Sequence, residues 1–164
     1  MDGAGPTAVL LVNGYSGLGI HAIFSMKKLF NRHEFKNVIF IQVGRIDSSR
    51  FKGIEELAHF RASLEHGLQR YVELARRMGY RSSSRYALGT DVPGGIEKLC
   101  QGIADEFVEP IFFSGKRVFA EETMVNRFLH NRTSKGSQRR LTFQGHNMSV
   151  LPSRERSGRS EPGA

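Results

Sequence analysis

The 164-residue chain has a single cysteine, Cys100, so no internal disulfide can form and a reducing compartment is its natural setting. No stretch approaches the ~18 consecutive apolar residues of a membrane span, and the N-terminus has no basic region leading into an apolar signal core. The expectation is a soluble, cytoplasmic chain. No cysteines and histidines stand at zinc-site spacing, and neither GxxxxGKS nor GxxxxGKT occurs. Gly14, Tyr15 and Ser16 begin a nucleophile elbow, but Leu18 stands where that motif needs its second glycine, and no acid and late histidine complete a triad. No catalytic residue and no metal ligand is therefore assigned. Acidic residues are also short, 16 against 24 lysines and arginines, giving a net charge of +8. The basic residues are spread along the chain, and the aromatics are mostly phenylalanines set in apolar runs, so no base-stacking platform and no specific nucleic-acid partner is expected. The densest basic stretch, Arg127 to Arg140, reads as a solvated helix face, with acidic lipid headgroups or nucleic acid as the sharper alternative.

Residues 9 to 30, VLLVNGYSGLGIHAIFSMKKLF, organise what remains. Val9 to Val12 form a continuous apolar run, as in a strand buried on both faces of a parallel sheet. Gly14, Gly17 and Gly19 follow at once and lead into a helix. Glycine there permits positive φ and close approach to the backbone, and the unpaired N–H groups of a helix start can hold an anion. A tight turn between strand and helix with no ligand fits the same residues. Cys100 falls on an apolar helix face and reads as a small core residue.

Hydrophobic content of 39% and a mean hydropathy of −0.35 are low for a globular domain, with the deficit at the two ends. Residues 1–7 read as a flexible lead-in, 8–152 as one domain, and 153–164, SRERSGRSEPGA, as a disordered tail without anchoring residues. Within the domain the reading is strand, helix, strand over 37–43, long helix over 53–79, weaker strand over 80–88, helix through Ile96 to Phe107, and strand over 111–115. A fourth helix through Met124 to Leu129 and a fifth strand over 148–152 complete it. Asp91 or Thr90 caps the third helix with Pro93 in its first turn, and Glu73 with Arg77 forms an i,i+4 pair in the second. Alternating strands and helices with short connections predict an α/β fold: a single doubly wound, mostly parallel five-stranded sheet with helices on both faces. Ligands of such sheets sit beyond the carboxyl ends of the strands where the winding reverses, which selects the loops after the first and fourth strands. GxxGxG at 14–19 is a relative of dinucleotide fingerprints, and Asp47 after the second strand could meet a ribose, so a small Rossmann-like enzyme is one reading. A domain acting only through protein contacts, such as dimerisation, is another.

VNGYSGLGIHAIFSM, FKGIEEL, GTDV with KLC, FFSGKRVF, RFLHN, QRRL and the terminal VLP resemble the cytosolic C-terminal domain of bacterial permeases of the amino acid, polyamine and organocation superfamily, itself similar to universal stress proteins. The resemblance spans residues 8–152. It implies a non-catalytic regulatory or ligand-sensing domain serving amino acid transport at the cytosolic face of the inner membrane, partnered with a transporter portion on the same or a neighbouring chain. It also implies a homodimer through the fifth strand. Stress proteins that bind ATP carry, after strand four, a glycine, two spacers, a glycine, nine spacers and a glycine followed by serine or threonine, and they carry an aspartate after strand one. Here Gly115 fits the first glycine, Val118 replaces the second, Gly136 and Ser137 come late, and Asn13 replaces the aspartate. The implied ligand is an adenine nucleotide bound weakly, at Asn13, Gly14, Tyr15, Ser16, Gly17 and Gly19, at the backbone of Val43, and at Ser114, Gly115, Gly136 and Ser137.

Overall fold

The computed structural model describes residues 5–30, 35–47, 53–108, 110–115, 140–143 and 146–151. The elements run β1 (Thr7–Leu11), α1 (Gly17–Leu29), β2 (Asn37–Arg45), α2 (Ile54–Arg77), β3 (Arg81–Gly89), α3 (Val92–Glu106), β4 (Ile111–Gly115), β5 (Arg140–Phe143) and β6 (His146–Leu151). They build one sheet of order β3-β2-β1-β4-β6-β5, in which β5 alone runs antiparallel. The class is α/β and Rossmann-like, with a parallel sheet as expected.

Each helix starts and stops for a local reason. Ser16, in extended conformation, accepts the Gly19 N–H and caps α1; Asp91 accepts the Gly94 N–H at 3.1 Å and caps α3, with Pro93 in the first turn. In α2, Glu55 and Glu56 stand at the start and Arg76 and Arg77 at the end, each sign where the helix dipole favours it. Gly79 ends that excursion with φ +90, open to glycine at little steric cost. The expected Glu73–Arg77 pair is not made: Glu73 accepts instead from Gln69, and Arg61 with Glu65 forms the i,i+4 ion pair.

Strand residues alternate between two cores, which places the helices. Ala8, Leu10, Val12, Val38, Phe40 and Phe113 face α1 and α2, where Ile23, Met26, Leu68, Tyr71 and Ala75 meet them. Val9, Leu11, Ile39, Ile41 and Phe112 face α3 and pack on Ile96, Cys100, Ile103 and Phe107. Helices thus cover both faces. Phe30, Phe35 and Phe113 pack edge to face, with ring centroids 5.3 to 5.8 Å apart, and hold the end of α1 against β4.

The weak third strand is an edge, as its mixed composition predicts. Because the Arg81 N–H bonds to the Lys36 carbonyl, the amide groups of Ser82 face away from β2, and Arg76 donates to the Ser82 carbonyl there at 3.1 Å. At the other edge two expectations are corrected. The sheet has six strands, not five, because Arg140–Phe143 is a strand of its own. β6 is therefore flanked by β4 and β5, and a second copy pairing along it would have to displace β5. Since β5 is antiparallel, the chain leaves β4 and enters β5 at the same end of the sheet, unlike a simple crossover. The lead-in before Gly5, the helix through Met124 to Leu129, the Arg127 to Arg139 part of the basic stretch, and the tail from Ser153 lie outside the described residues. No helix among the described residues is long and apolar enough to cross a membrane.

Candidate functional site

The winding reverses between β1 and β4: the chain passes from β1 to β2 on one side and reaches β4 on the other. The loop Asn13 to Ser16 and the start of α1 stand at the carboxyl end of β1, beside the end of β4, where Leu11 is in register with Ser114. Asn13, Gly14, Gly17 and Leu18 are exposed; Tyr15 and Ser16 are half-buried.

A residue from α2 shapes this loop. The Tyr71 hydroxyl accepts the Ser16 N–H at 3.0 Å and donates to the Gly14 carbonyl at 3.0 Å, with the Ser16 carbonyl at 3.3 Å as its alternative acceptor. Its ring stacks on Phe40 at 5.2 Å and 17°, and Tyr15 tilts against it at 4.7 Å. Arg70, one position earlier on α2, lies over the Tyr15 ring at 3.8 Å, a cation–π contact that covers the loop from the solvent side.

The three glycines of the loop separate by cause. Gly14 has φ +62, so the turn itself calls for glycine. Gly19 is buried, and a Cβ there would lie 1.9 Å from the Tyr71 hydroxyl oxygen, so packing requires it. Gly17 has neither reason: its φ is not positive, and a Cβ would meet nothing within 4 Å. The expectation that glycine at 17 serves positive φ is corrected, since that role belongs to Gly14. The N–H groups of Ser16 and Gly19 are already engaged. Gly17 and Leu18, as the first two helical residues, keep N–H groups that no intrahelical carbonyl can take.

Val43 joins the same crevice through its backbone. Ile41 turns its carbonyl to β1, where the Val12 N–H takes it at 3.0 Å; two residues on, Val43 faces the same way beyond the last residue of β1. Its side chain lies on the α3 face, where Gly95 lets the helix approach: a Cβ on Gly95 would sit 3.0 Å from Val43 Cγ1. Ser114 is buried at 1% exposure and Gly115 ends β4 in register with Leu151. Gly136 and Ser137 lie outside the described residues. Asp47 is exposed, two residues past β2. Tyr71 and Arg70 were missed as site residues; Tyr71 reads simply as part of a helical apolar stripe, and only the fold brings it to a loop 55 residues earlier.

Burial pushes the Cys100 thiol up to about 12, so it is no nucleophile. The Glu65 carboxyl is held below the usual range by hydrogen bonds from Tyr86 and Arg61, but this pair sits on α2 and β3, outside the crevice. Among the described residues no group of three histidines, cysteines or carboxylates could hold a metal ion. Compared with models of protein families, with curated proteins and with solved structures, the chain has no match.

Proposed function

We propose that this chain is a non-catalytic, ligand-sensing regulatory domain of universal-stress-protein type, acting on the cytosolic side of an amino acid permease. The observation that supports it best is the division of labour in the loop over α2. Tyr71 fixes the loop from beneath, the N–H groups of Gly17 and Leu18 have no intrahelical carbonyl to take them, and among the described residues no carboxylate, imidazole or thiol is hydrogen-bonded to the loop. Such a crevice holds an anionic or nucleotide ligand without altering it. The parallel order β3-β2-β1-β4-β6 is consistent with a stress-protein sheet carrying one added edge strand.

Few open donors mean weak binding. A dissociation constant of hundreds of micromolar for an adenine nucleotide, about 5 kcal/mol, is the expected scale. Calorimetry with ATP, AMP, NAD and NADP tests this. Weak adenine-nucleotide binding without hydrolysis, lost in Gly17→Val because the branched side chain covers the open N–H groups, supports the sensor. Asp47 after β2 favours a second reading, a dinucleotide-binding enzyme, and micromolar NAD or NADP affinity lost in Gly17→Val would establish that instead. No binding of any of the four leaves a contact-only domain. The transporter partner is tested separately by the coding sequence upstream of Met1: a continuous frame of apolar spans supports a transporter on the same chain, and a stop codon counts against it and leaves only a neighbouring chain, to be sought by co-purification.

A further inference from the structure

Gln42 breaks the pattern of its own strand. On the α2 side of β2 every second residue is apolar and buried, Val38 and then Phe40, until Gln42 takes the next place at only 8% exposure. Its neighbours Ile41 and Val43 pack toward α3, so the side chain of Gln42 is turned toward α2. Because Leu11 is in register with Ile41, Gln42 stands beside Val12, the last buried residue before the Asn13 to Ser16 loop. Its carboxamide makes no hydrogen bond to any described residue. The amide atoms are nevertheless not sealed from solvent, so they keep an opening.

An enclosed amide left without a partner costs free energy that a leucine or methionine in its place would not. Its surroundings are apolar: Phe40 lies below it, and above it Gly44 is closed over by Leu64, Phe60 and Leu88. Val12, Phe40, Gly44 and Leu64 are themselves buried, which leaves the sides of half-buried Tyr15 and Tyr86 as exits. Tyr86 is bonded to Glu65 and bridges β3 to α2, so the opening lies toward Tyr15. Tyr15 adjoins α2 as well, since a Cβ on Gly67 would lie 3.6 Å from its nitrogen. The amide thus faces the loop whose helix start, at Gly17 and Leu18, keeps N–H groups that no intrahelical carbonyl takes. The carboxamide offers a donor and an acceptor side by side, and the helix start offers donors only. A ligand that satisfies both has an anionic part and an amide-like edge. A nucleotide has both.

We infer that Gln42 is the specificity-determining residue of the crevice, its carboxamide pairing with the exocyclic amine and adjacent ring nitrogen of an adenine base. The inference rests on the ligand-sensing reading above and adds to it the side chain that tells one base edge from another. The test is a ligand-observed NMR titration of the full chain with two probes that share ring system, sugar and phosphate: AMP, and the monophosphate of purine riboside, which lacks the exocyclic amine. In the parent, AMP should bind about tenfold more tightly, the scale of one buried hydrogen bond. In Gln42→Met, which keeps the length and loses both polar atoms, the two probes should bind alike. Circular dichroism should show the variant folded, with a thermal midpoint equal to or above the parent's, because no bond within the fold is lost. Equal affinities of the two probes in the parent overturn the pairing and leave the anion crevice standing, and so does a preference for AMP that survives in Gln42→Met. A midpoint lowered by more than about 5 °C shows that the amide is bonded within the fold, and overturns the pairing as well. If neither probe binds the parent at millimolar concentration, the ligand-sensing reading falls and takes the pairing with it.

Discussion

Gly17→Ala and Gly19→Ala add the same methyl two residues apart on the first turn of α1, and they should act with opposite sign. At position 19 the new carbon would lie 1.9 Å from the Tyr71 hydroxyl oxygen, 2.5 Å from Cζ and 2.9 Å from Cε1. Tyr71 is fully buried and cannot yield like a flexible tip: Phe40 stacks on one side, Tyr15 lies on the other, and its hydroxyl is bonded to the loop. Overpacking of this kind costs about 1–3 kcal/mol. The intrinsic gain of alanine over glycine in a helix, at most about 1 kcal/mol, offsets part of it. The net loss of about 1–2 kcal/mol should lower the thermal midpoint by roughly 2–8 °C for a domain of this size. At position 17 nothing lies within 4 Å, only the gain applies, and the midpoint should hold or rise by up to about 4 °C. Differential scanning calorimetry of both variants decides it. In a double-mutant cycle, Gly19→Ala placed on Tyr71→Leu should show a coupling above about 0.5 kcal/mol. If Gly19→Ala is as stable as Gly17→Ala, the glycine does not exist to admit Tyr71, and the account of the loop is wrong.

Phe113→Ala, removing the ring that Phe30 and Phe35 pack against, should cost about 3–5 kcal/mol and lower the midpoint by roughly 10 °C, read from denaturant and thermal unfolding. Glu65 is held below the ordinary carboxylate range first by Tyr86 and then by Arg61, so its share of stability is present above that range and disappears as pH falls through the lowered value. Tyr86→Phe should therefore flatten the acid limb of a stability-versus-pH profile, and identical limbs in parent and variant would refute the pairing. Cys100, buried with its thiol pushed up to about 12, should resist iodoacetamide at neutral pH in the native protein and react once unfolded, as mass spectrometry would report.

Much of the sheet was legible in the sequence because its strands are buried on both faces and so appear as unbroken apolar runs. VLLV and NVIFIQV fall within one or two residues of β1 and β2, IFFSG matches β4, and Asp91 with Pro93 marks the start of α3. β5 was missed because RLTF is only four residues long and follows a stretch with basic residues at irregular helical spacing. The alternation of Leu141 and Phe143 with Arg140 and Thr142, with a glycine soon after in the sequence, is the signal that could have found it. Within the loop, local sequence showed that glycines were needed but not why. The answer for Gly19 lies on a helix more than fifty residues away, and pairings at that range leave no trace in one sequence.

An edge strand of nine residues is also an invitation to other chains. β3 presents a whole row of amide groups to any strand that arrives, from a second copy or from a partly unfolded neighbour. Arg76 already sits on the Ser82 carbonyl, the first acceptor of that row, and the strand carries Ser82, Ser83, Ser84 and Arg85 where an adhesive edge would carry valine or isoleucine. A strand adding here would have to evict a guanidinium before its first bond and would find little apolar surface in return. The same arginine that ends α2 thus works as a stop on sheet growth. A chain in which Arg76 becomes leucine and the three serines become valine should keep its fold and lose its resistance to fibril formation.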